Sequence, residues 1–316
     1  MLRGYNILSR ARSLYHIMFP VSSGFLLIFI LHRENFHILL ISRCFSYILA
    51  FVFEVFFMQH MLSLFRSCVD DYDMIQAGDR IAVGVSGGKD SLTLLVLLAE
   101  LKKFYPRPFE LEAFSVDMGL GGMDFSPVAA LCEELGVPFH RIETQIGPVL
   151  FEYRKEKNPC SLCAKMRRGA LGKAITEAGI QKVALGHHRD DAVETFLLSL
   201  IWEGRISCFE PVTYLDRTGV TQIRPMLYIP EQAVIHFAEK YKLPVVHNTC
   251  PADKHTKREE VKDLVYELNG RYPGLKDRIF GAMQRYPLAK WEIPRQQATG
   301  NRQQGTECGG ADSSLR

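Results

Sequence analysis

The segment spanning residues 80–104 constrains the fold more than any other part of the chain. Residues 80–85 are typical of a buried strand and residues 91–104 of a leucine-rich helix, and Ser-Gly-Gly-Lys-Asp-Ser (86–91) joins them. Glycine lets a backbone approach phosphate oxygens without a side-chain clash, and a helix N-terminus presents unpaired N–H groups and a positive dipole end. The segment therefore predicts a strand–loop–helix unit that binds phosphate through Gly87, Gly88 and the start of the helix.

The polar residues of this loop each have a predicted role. Lys89 supplies a mobile cation, and Ser86 and Ser91 supply hydroxyl donors. Asp90 is informative because a carboxylate beside phosphate is repelled unless a divalent cation lies between them, which indicates Mg²⁺. The loop is not a Walker A loop, since Asp follows the lysine and position 83 is Val rather than Gly. A plain tight turn is the alternative, but it would not need the whole polar string.

Beyond residue 61, predicted strands alternate with predicted helices, which is typical of a doubly wound, parallel α/β sheet. Residues 211–224 form a hairpin pattern around Asp-Arg-Thr-Gly (216–219), and mainly helical segments follow. We divide the chain into four predicted parts: an apolar N-terminal extension (1–60), a phosphate-loop domain with an inserted CxxC region (61–228), a helical C-terminal part that carries a third cysteine (229–290), and a disordered tail (291–316).

The N-terminal extension differs in character from the rest of the chain. Residues 13–32 carry no formal charge, and residues 25–31 are strongly apolar. A membrane helix needs about 20 mainly apolar residues, and Pro20 and Gly24 weaken this one. A membrane anchor, a targeting segment and an upstream extension absent from the working protein are the three alternatives. We favour the last, without membrane attachment, because an amphipathic helical pattern begins near Met58 and Met61.

Two further segments close predicted strands. Phe-Ser-Val-Asp (114–117) ends the second strand, and Gly-His-His-Arg-Asp-Asp (186–191) follows a later one. Ligands of doubly wound sheets bind at such carboxyl ends, so both segments are predicted to line the site. The candidates are Ser115, Asp117, Gly186 and His187 for the ligand that the phosphate loop binds, and Asp191 (or Asp190) for Mg²⁺. Their structural alternatives are a turn for Asp117, a core histidine for His187 and helix caps for the aspartates.

The cysteines suggest both a compartment and a site. Eight cysteines are scattered along a chain too large to need disulfides, which predicts a reducing, cytoplasmic location. Cys160 and Cys163 lie one helical turn apart, and Cys250 stands 87 positions later. Three cysteines can hold three irons of a [4Fe–4S] cluster and leave the fourth iron open. A Cys₃His zinc site with His247 or His255 fits the spacing as well, and so does a persulfide-carrying redox pair.

Positive charge is concentrated around the CxxC. Residues 151–182 hold eight Lys or Arg against three acids. Such a cluster suits a phosphate-rich partner, although a solvated helix face explains it equally well. The cations are Arg154, Lys155, Lys157, Lys165, Arg167, Arg168, Lys173 and Lys182.

The loop at 86–91 resembles the SGGxDS loop of the PP-loop ATPases, which have a Rossmann-like fold and adenylate their substrates. Together with PCSLC-xxx-RRG, LGHHRDD-xx-ET and one downstream cysteine, it resembles the tRNA 2-thiocytidine biosynthesis family over residues 61–286. The resemblance implies ATP in the loop, catalytic roles for Lys89, Asp90 and Asp191, and a [4Fe–4S] cluster on Cys160, Cys163 and Cys250. It also implies sulfur transfer to C2 of the cytidine at position 32 of the tRNA anticodon loop.

The same resemblance implies the partners: tRNA, a sulfur donor such as a cysteine desulfurase, and a second copy of the chain in a homodimer. Some relatives carry a second close cysteine pair downstream, whereas this chain has Cys250 alone there. Thiolation of a tRNA uridine, adenylation of a small molecule and non-catalytic RNA binding are the alternative functions. The last would not need an intact phosphate loop.

Overall fold

The computed structural model describes residues 56–154, 159–246, 249–250, 257–286, 288 and 290–293. Most of the predicted N-terminal extension and the tail beyond residue 293 lie outside these residues. Of the helices in the described ranges, none combines the length and the apolar character needed to cross a lipid bilayer.

A six-stranded sheet organises the domain, in the order β3-β2-β1-β4-β6-β5. All neighbouring strands are parallel except β5 and β6, which form the predicted antiparallel hairpin at one edge. The doubly wound α/β prediction is therefore confirmed. The strands are β1 (Arg80–Gly84), β2 (Glu110–Asp117), β3 (Phe139–Glu143), β4 (Lys182–Ala184), β5 (Val212–Leu215) and β6 (Val220–Ile223).

Helices cover both faces of the sheet and build the C-terminal part. They are α1 (56–71), α2 (Lys89–Lys102), α3 (Ser126–Leu135), α4 (Pro159–Glu177), α5 (Arg189–Leu198), α6 (Glu231–Lys240), α7 (Lys257–Arg271) and α8 (Leu275–Arg285). A short helical segment, Ile146–Pro148, runs into a π-helical turn, Val149–Tyr153, and a second π-helical turn, Ser199–Glu203, extends α5.

The alternation of side chains along the strands divides the core between the two faces. Ile81 and Val83 of β1 point into the main core, while Ala82 between them belongs to a smaller cluster on the opposite face. This follows from the two-residue period of a strand, which sends successive side chains to opposite sides. The main core also takes in residues of α1, α2 and the C-terminal helices, so those helices pack on the same face as the phosphate-loop helix.

The inserted CxxC region is helical. α4 begins at Pro159, so Cys160 and Cys163 lie in its first two turns.

The start of the predicted tail differs from the sequence-based expectation. Trp291, its first residue, is fully buried. Its Nε1 donates to the carbonyl of Phe209 at 3.0 Å, and its ring packs edge-on against Phe280. The packed part of the domain therefore extends through Trp291.

Truncating Trp291 should destabilise the domain strongly. Loss of a fully buried tryptophan costs about 3–5 kcal/mol through the cavity it leaves, and Trp291→Ala also leaves the Phe209 carbonyl without its donor. Urea unfolding measures the change in free energy. Trp202→Ala is the matched control, because Trp202 is 38% exposed. Equal losses in the two variants would contradict the packing role of Trp291.

Candidate active site

The predicted site segments meet at the carboxyl ends of the parallel strands. The phosphate loop leaves β1, the Gly-His-His-Arg-Asp-Asp segment leaves β4, and these two strands are parallel neighbours. The chain crosses from β1 to β2 and β3 on one side, whereas β4 and the hairpin lie on the other. A crevice opens at such a reversal, and it is the usual ligand site of this class of sheet.

Hydrogen bonds within the phosphate loop hold its shape. The hydroxyl of Ser91 donates to the carbonyl of Gly88 at 2.9 Å and accepts the N–H of Ser86 at 3.1 Å. The hydroxyl of Ser86 lies 3.2 Å from that of Ser91 and accepts the N–H of Gly88 at 3.3 Å. The two serines therefore close the loop on itself, in addition to any contact they make with phosphate.

The loop leaves the start of α2 open to an anion. Gly88 is the N-cap residue, and no side chain caps the helix there. Gly87 has φ +84°, a backbone conformation that L side chains rarely adopt. The first N–H groups of α2 and its positive dipole end are therefore available to a phosphate group.

Gly186 brings the β4 segment against the phosphate loop. A Cβ atom on Gly186 would lie 3.0 Å from the carbonyl atoms of Asp90 and 3.1 Å from the nitrogen of Ser91. Those neighbours are backbone atoms, which cannot rotate away. The predicted importance of Gly186 thus has a steric basis, because only glycine lets the two loops approach this closely.

Lys89 lies between two carboxylates. Its ammonium group donates to Asp90 at 2.8 Å and to Glu231 of α6 at 3.3 Å. Burial opposes the charge on Lys89, but Asp90 and Glu231 outweigh it, and the net effect raises the pKa of Lys89. Glu231 also accepts from Lys262 of α7 at 2.8 Å. No sequence signal pointed to Glu231, which stands 142 positions from Lys89.

His188, rather than His187, joins the aspartates of the site. Its Nδ1 accepts the N–H of Asp191 at 3.2 Å, and the Asp191 carboxylate accepts the N–H of His188 at 2.9 Å. This reciprocal capping box begins α5. Because Nδ1 is an acceptor, the ring proton resides on Nε2, which lies 3.7 Å from Asp90. His188 thus lies between Asp90 and Asp191 and is hydrogen-bonded to Asp191.

The two aspartates after His188 have different surroundings. Asp190 is buried, pairs with Lys276 of α8 at 2.6 Å and accepts the N–H of Glu231 at 2.7 Å. Asp191 contacts Arg258 of α7 at 3.1 Å. Both carboxylates therefore bind residues of C-terminal helices. Asp190 has the greater number of such contacts and is the more buried.

The β2 candidates are hydrogen-bonded within the protein. The buried hydroxyl of Ser115 donates to the carbonyl of Val85, so it fixes the strand end from which the phosphate loop starts. Asp117 accepts the N–H of Gly119 at 2.9 Å and pairs with Arg141. Burial alone would raise the pKa of Asp117, but Gly119 and Arg141 lower it overall. Asp117 is thus an ionised group at the crevice.

His187 points away from the phosphate loop. Its ring lies 4.9 Å from that of Phe209, and its buried Nδ1 has no hydrogen-bond partner in the described structure. Burial, aided by Arg224, lowers the pKa of His187 to about 4. Arg224 is itself buried and donates to the carbonyl of Glu210 and the hydroxyl of Thr213.

The three cysteines approach one another beside the end of β2. Cys163 is buried with its sulfur 3.8 Å from that of Met118, Cys160 is exposed and Cys250 is partly buried. Burial raises the pKa of Cys163, Arg167 opposes this, and Cys250 and Cys160 lie near enough to raise it further. Among the described residues, no group of three His, Cys, Asp or Glu side chains is arranged closely enough to hold a metal ion. The donor set is nevertheless three thiols, the ligands that iron–sulfur clusters require.

Most of the described cations of the basic cluster lie on α4. Lys165, Arg167, Arg168 and Lys173 are exposed there, and Lys173 pairs loosely with Glu177. Lys182 is different: it donates to Asp79 and to the carbonyl of Met74, so it belongs to the fold rather than to a binding surface. Lys155 and Lys157 lie outside the described residues.

Adding one methyl group at Gly186 should disturb the phosphate loop. Gly186→Ala places a Cβ against the backbone of Asp90 and Ser91, and overpacking of this kind costs about 1–3 kcal/mol. If that cost falls on the binding-competent loop, the affinity for a non-hydrolysable ATP analogue, measured by calorimetry, should be about 5- to 150-fold weaker. Gly270→Ala is the control, because a Cβ there meets nothing within 4 Å. Unchanged affinity in Gly186→Ala would refute the contact.

Two buried groups beside the site should give stability opposite dependences on pH. Burial and Asp191 raise the pKa of Glu194 to about 7, whereas that of His187 is about 4. Between about pH 4 and 6.5 the unfolded chain binds the histidine proton and the folded chain does not, so this group makes stability rise with pH. Between about pH 4.5 and 7 the folded chain keeps the Glu194 proton, so this group makes stability fall with pH.

Single substitutions separate the two effects. Glu194→Gln retains the histidine, so its free energy of unfolding should rise more steeply from pH 5 to pH 7 than that of His187→Gln. All other titrating groups are common to both variants. Urea unfolding at the two pH values measures the difference, and identical slopes would contradict the assignment.

The comparisons with known proteins agree with this geometry. Residues 57–268 match the family described as ATP_bind_3, a PP-loop domain. The chain is 39% identical over 220 residues to the tRNA-cytidine(32) 2-sulfurtransferase of Bordetella petrii. The alignment covers 69% of this chain and 68% of the relative. The chain is 37% identical over 218 residues to the protein of the same name from Pseudomonas putida strain GB-1, covering 68% and 80%.

A solved structure is similar as well. The U34-tRNA thiolase NcsA from Methanococcus maripaludis, solved with its [4Fe–4S] cluster, has a TM-score of 0.61 and 28% identity, covering 73% of this chain and 78% of that one. Both the sequence relatives and the fold place the loop at 86–91 in the PP-loop class. The chain therefore belongs to the PP-loop ATPases and, among them, to the family of the tRNA-cytidine(32) 2-sulfurtransferases.

Proposed function

We propose that this protein is an ATP-dependent tRNA sulfurtransferase that converts the cytidine at position 32 of the anticodon loop into 2-thiocytidine. One observation supports the proposal independently of the relatives: the phosphate loop and the thiols both lie at the carboxyl ends of the parallel strands. The N–H of Val246, four residues before Cys250, donates to the carbonyl of Gly87 at 2.9 Å, and Cys163 contacts Met118, the residue after β2. An enzyme that adenylates a base and then thiolates it needs both groups at one place.

The first step is adenylation. The O2 atom of the cytosine attacks the α-phosphate of ATP, and pyrophosphate leaves. The open N-terminus of α2 and the ammonium of Lys89 would stabilise the charge that develops on the phosphates. Asp90 and Asp191, which His188 connects, would hold Mg²⁺ against the same oxygens.

The second step exchanges oxygen for sulfur. A sulfide nucleophile attacks C2, and AMP leaves with the former O2 atom, so one ATP yields AMP and pyrophosphate for each sulfur transferred. Cys160, Cys163 and Cys250 would hold a [4Fe–4S] cluster. When bound, such a cluster supplies an iron without a protein ligand, at which the sulfur for transfer can be delivered.

The exposed cations of α4 would bind the tRNA backbone. The helix begins with the two cysteines and carries Lys165, Arg167 and Arg168 directly after them. RNA contacts in that position would present a neighbouring nucleotide to the thiols, and bases of a single-stranded loop can be turned outwards for reaction. We further propose a cysteine desulfurase as the sulfur donor, a homodimer as the working assembly, and a cytoplasmic location.

Thiolation of a tRNA uridine is the second candidate. It is favoured by the similarity in fold to the U34-tRNA thiolase, which is 28% identical. The relatives named for cytidine 32 are more similar, at 37–39% identity. Cytidine 32 is therefore the preferred substrate.

A reconstituted reaction tests the proposal. Purified protein, loaded with iron and sulfide under anaerobic conditions, is incubated with ATP, Mg²⁺, sulfide and unmodified tRNA that carries cytidine at position 32. Nucleoside mass spectrometry should detect 2-thiocytidine, with AMP formed in parallel. Cys250→Ala and Lys89→Ala should abolish the product. Cys132→Ala should not, because Cys132 packs in the main core, apart from the cluster that contains Cys163.

A second tRNA distinguishes the two candidates. In a transcript with uridine at position 32 we expect no thiolated nucleoside. If 2-thiouridine forms at position 34, and no 2-thiocytidine forms in either transcript, the uridine assignment replaces the cytidine assignment. If ATP is not converted to AMP with any tRNA, both assignments fail.

A further inference from the structure

Two residues just before Cys250 contact both glycine-containing loops of the site. The backbone N–H of Val246 donates to the carbonyl of Gly87 in the phosphate loop at 2.9 Å. The hydroxyl of Thr249 donates to the carbonyl of Gly121 at 3.2 Å, in the loop that follows β2. Cys250 is the residue immediately after the second contact, so its position depends on both loops.

Glycine is required on the loop side of each contact. A Cβ on Gly87 would lie 2.9 Å from the Cβ and Cγ2 atoms of Val246, and one on Gly122 would lie 3.3 Å from the Cγ2 atom of Thr249. Both glycines also have positive φ, +84° and +76°. The close approach is therefore built into the backbone of the two loops and is not an incidental surface contact.

The loop after β2 also contacts Cys163, whose thiol is buried. It begins at Met118, whose sulfur lies 3.8 Å from that of Cys163. Met118 and Cys163 share a small apolar cluster with Ile146 and Leu150. Within five residues, 118–122, the chain thus contacts Cys163 at one end and the neighbour of Cys250 at the other.

We infer that Val246 and Thr249 are positioning residues for Cys250, and that they couple occupancy of the phosphate loop to retention of the metal cluster. A nucleotide that orders the phosphate loop orders the carbonyl of Gly87, which holds Val246, and Thr249 ties the same stretch to the loop beside Cys163. Linkage makes the effect reciprocal, so an assembled cluster also favours nucleotide binding. The inference rests on the proposed function only in assuming a cluster on the three cysteines.

Loss of the cluster to an iron chelator tests the inference. The visible absorbance of the reconstituted protein is followed with and without a non-hydrolysable ATP analogue. Thr249→Val removes only the hydroxyl donor, and we expect it to lose the cluster about fivefold faster, the effect of one lost hydrogen bond. Thr249→Ser keeps the donor and should match the wild type. The analogue should slow the loss in the wild type and have less effect in Thr249→Val.

The controls separate this inference from the proposed function. Thr218→Val makes the same change at an exposed hairpin residue, whose hydroxyl donates to Leu215, and should behave as the wild type. Suppose that the wild type assembles a cluster, and that Thr249→Val loses the cluster to the chelator at the wild-type rate with the same response to the analogue. The inference is then overturned and the proposed function stands. If the wild type binds no iron, both fall.

Discussion

The site depends on one backbone contact, the approach of Gly186 to the carbonyl of Asp90 and the nitrogen of Ser91. Two connections that leave neighbouring parallel strands in opposite directions touch at this point. The contact packs the segment that leads into α5 directly against the first turn of α2. It also brings His188 within reach of Asp90, which links the carboxylates of the two loops.

Charge around the phosphate loop is balanced before any ligand arrives. Lys89 has two carboxylate partners, Asp90 and Glu231, and Glu231 has a second lysine partner in Lys262. If Lys89 moved away, Glu231 would still pair with Lys262, so Glu231 would not become an unpaired charge. This matters because an unpaired charge in a partly buried position is costly. The C-terminal helices thus contribute to the nucleotide site electrostatically as well as through packing.

The C-terminal part of the chain contributes side chains both beside the phosphate loop and among the thiols. Asp190 pairs with Lys276 of α8, Asp191 contacts Arg258 of α7, and the stretch before α7 contains Cys250. The third cysteine lies far from the first two in sequence, and the contacts of Val246 with Gly87 and of Thr249 with Gly121 hold the residues before it at the same end of the sheet.

The sequence by itself determined the fold class, the phosphate loop and the thiol pair, because each follows from local rules. Side-chain periods of strand and helix, glycine at a tight approach and cysteines one turn apart are properties of short segments. Tertiary structure alone decided which side chains meet. The hydroxyl of Ser115 faces Val85, His187 faces Phe209, and His188 and Glu231 stand beside Asp90 and Lys89. These outcomes depend on how elements distant in sequence pack, and no local pattern encodes the direction in which a side chain points once two such elements are in contact.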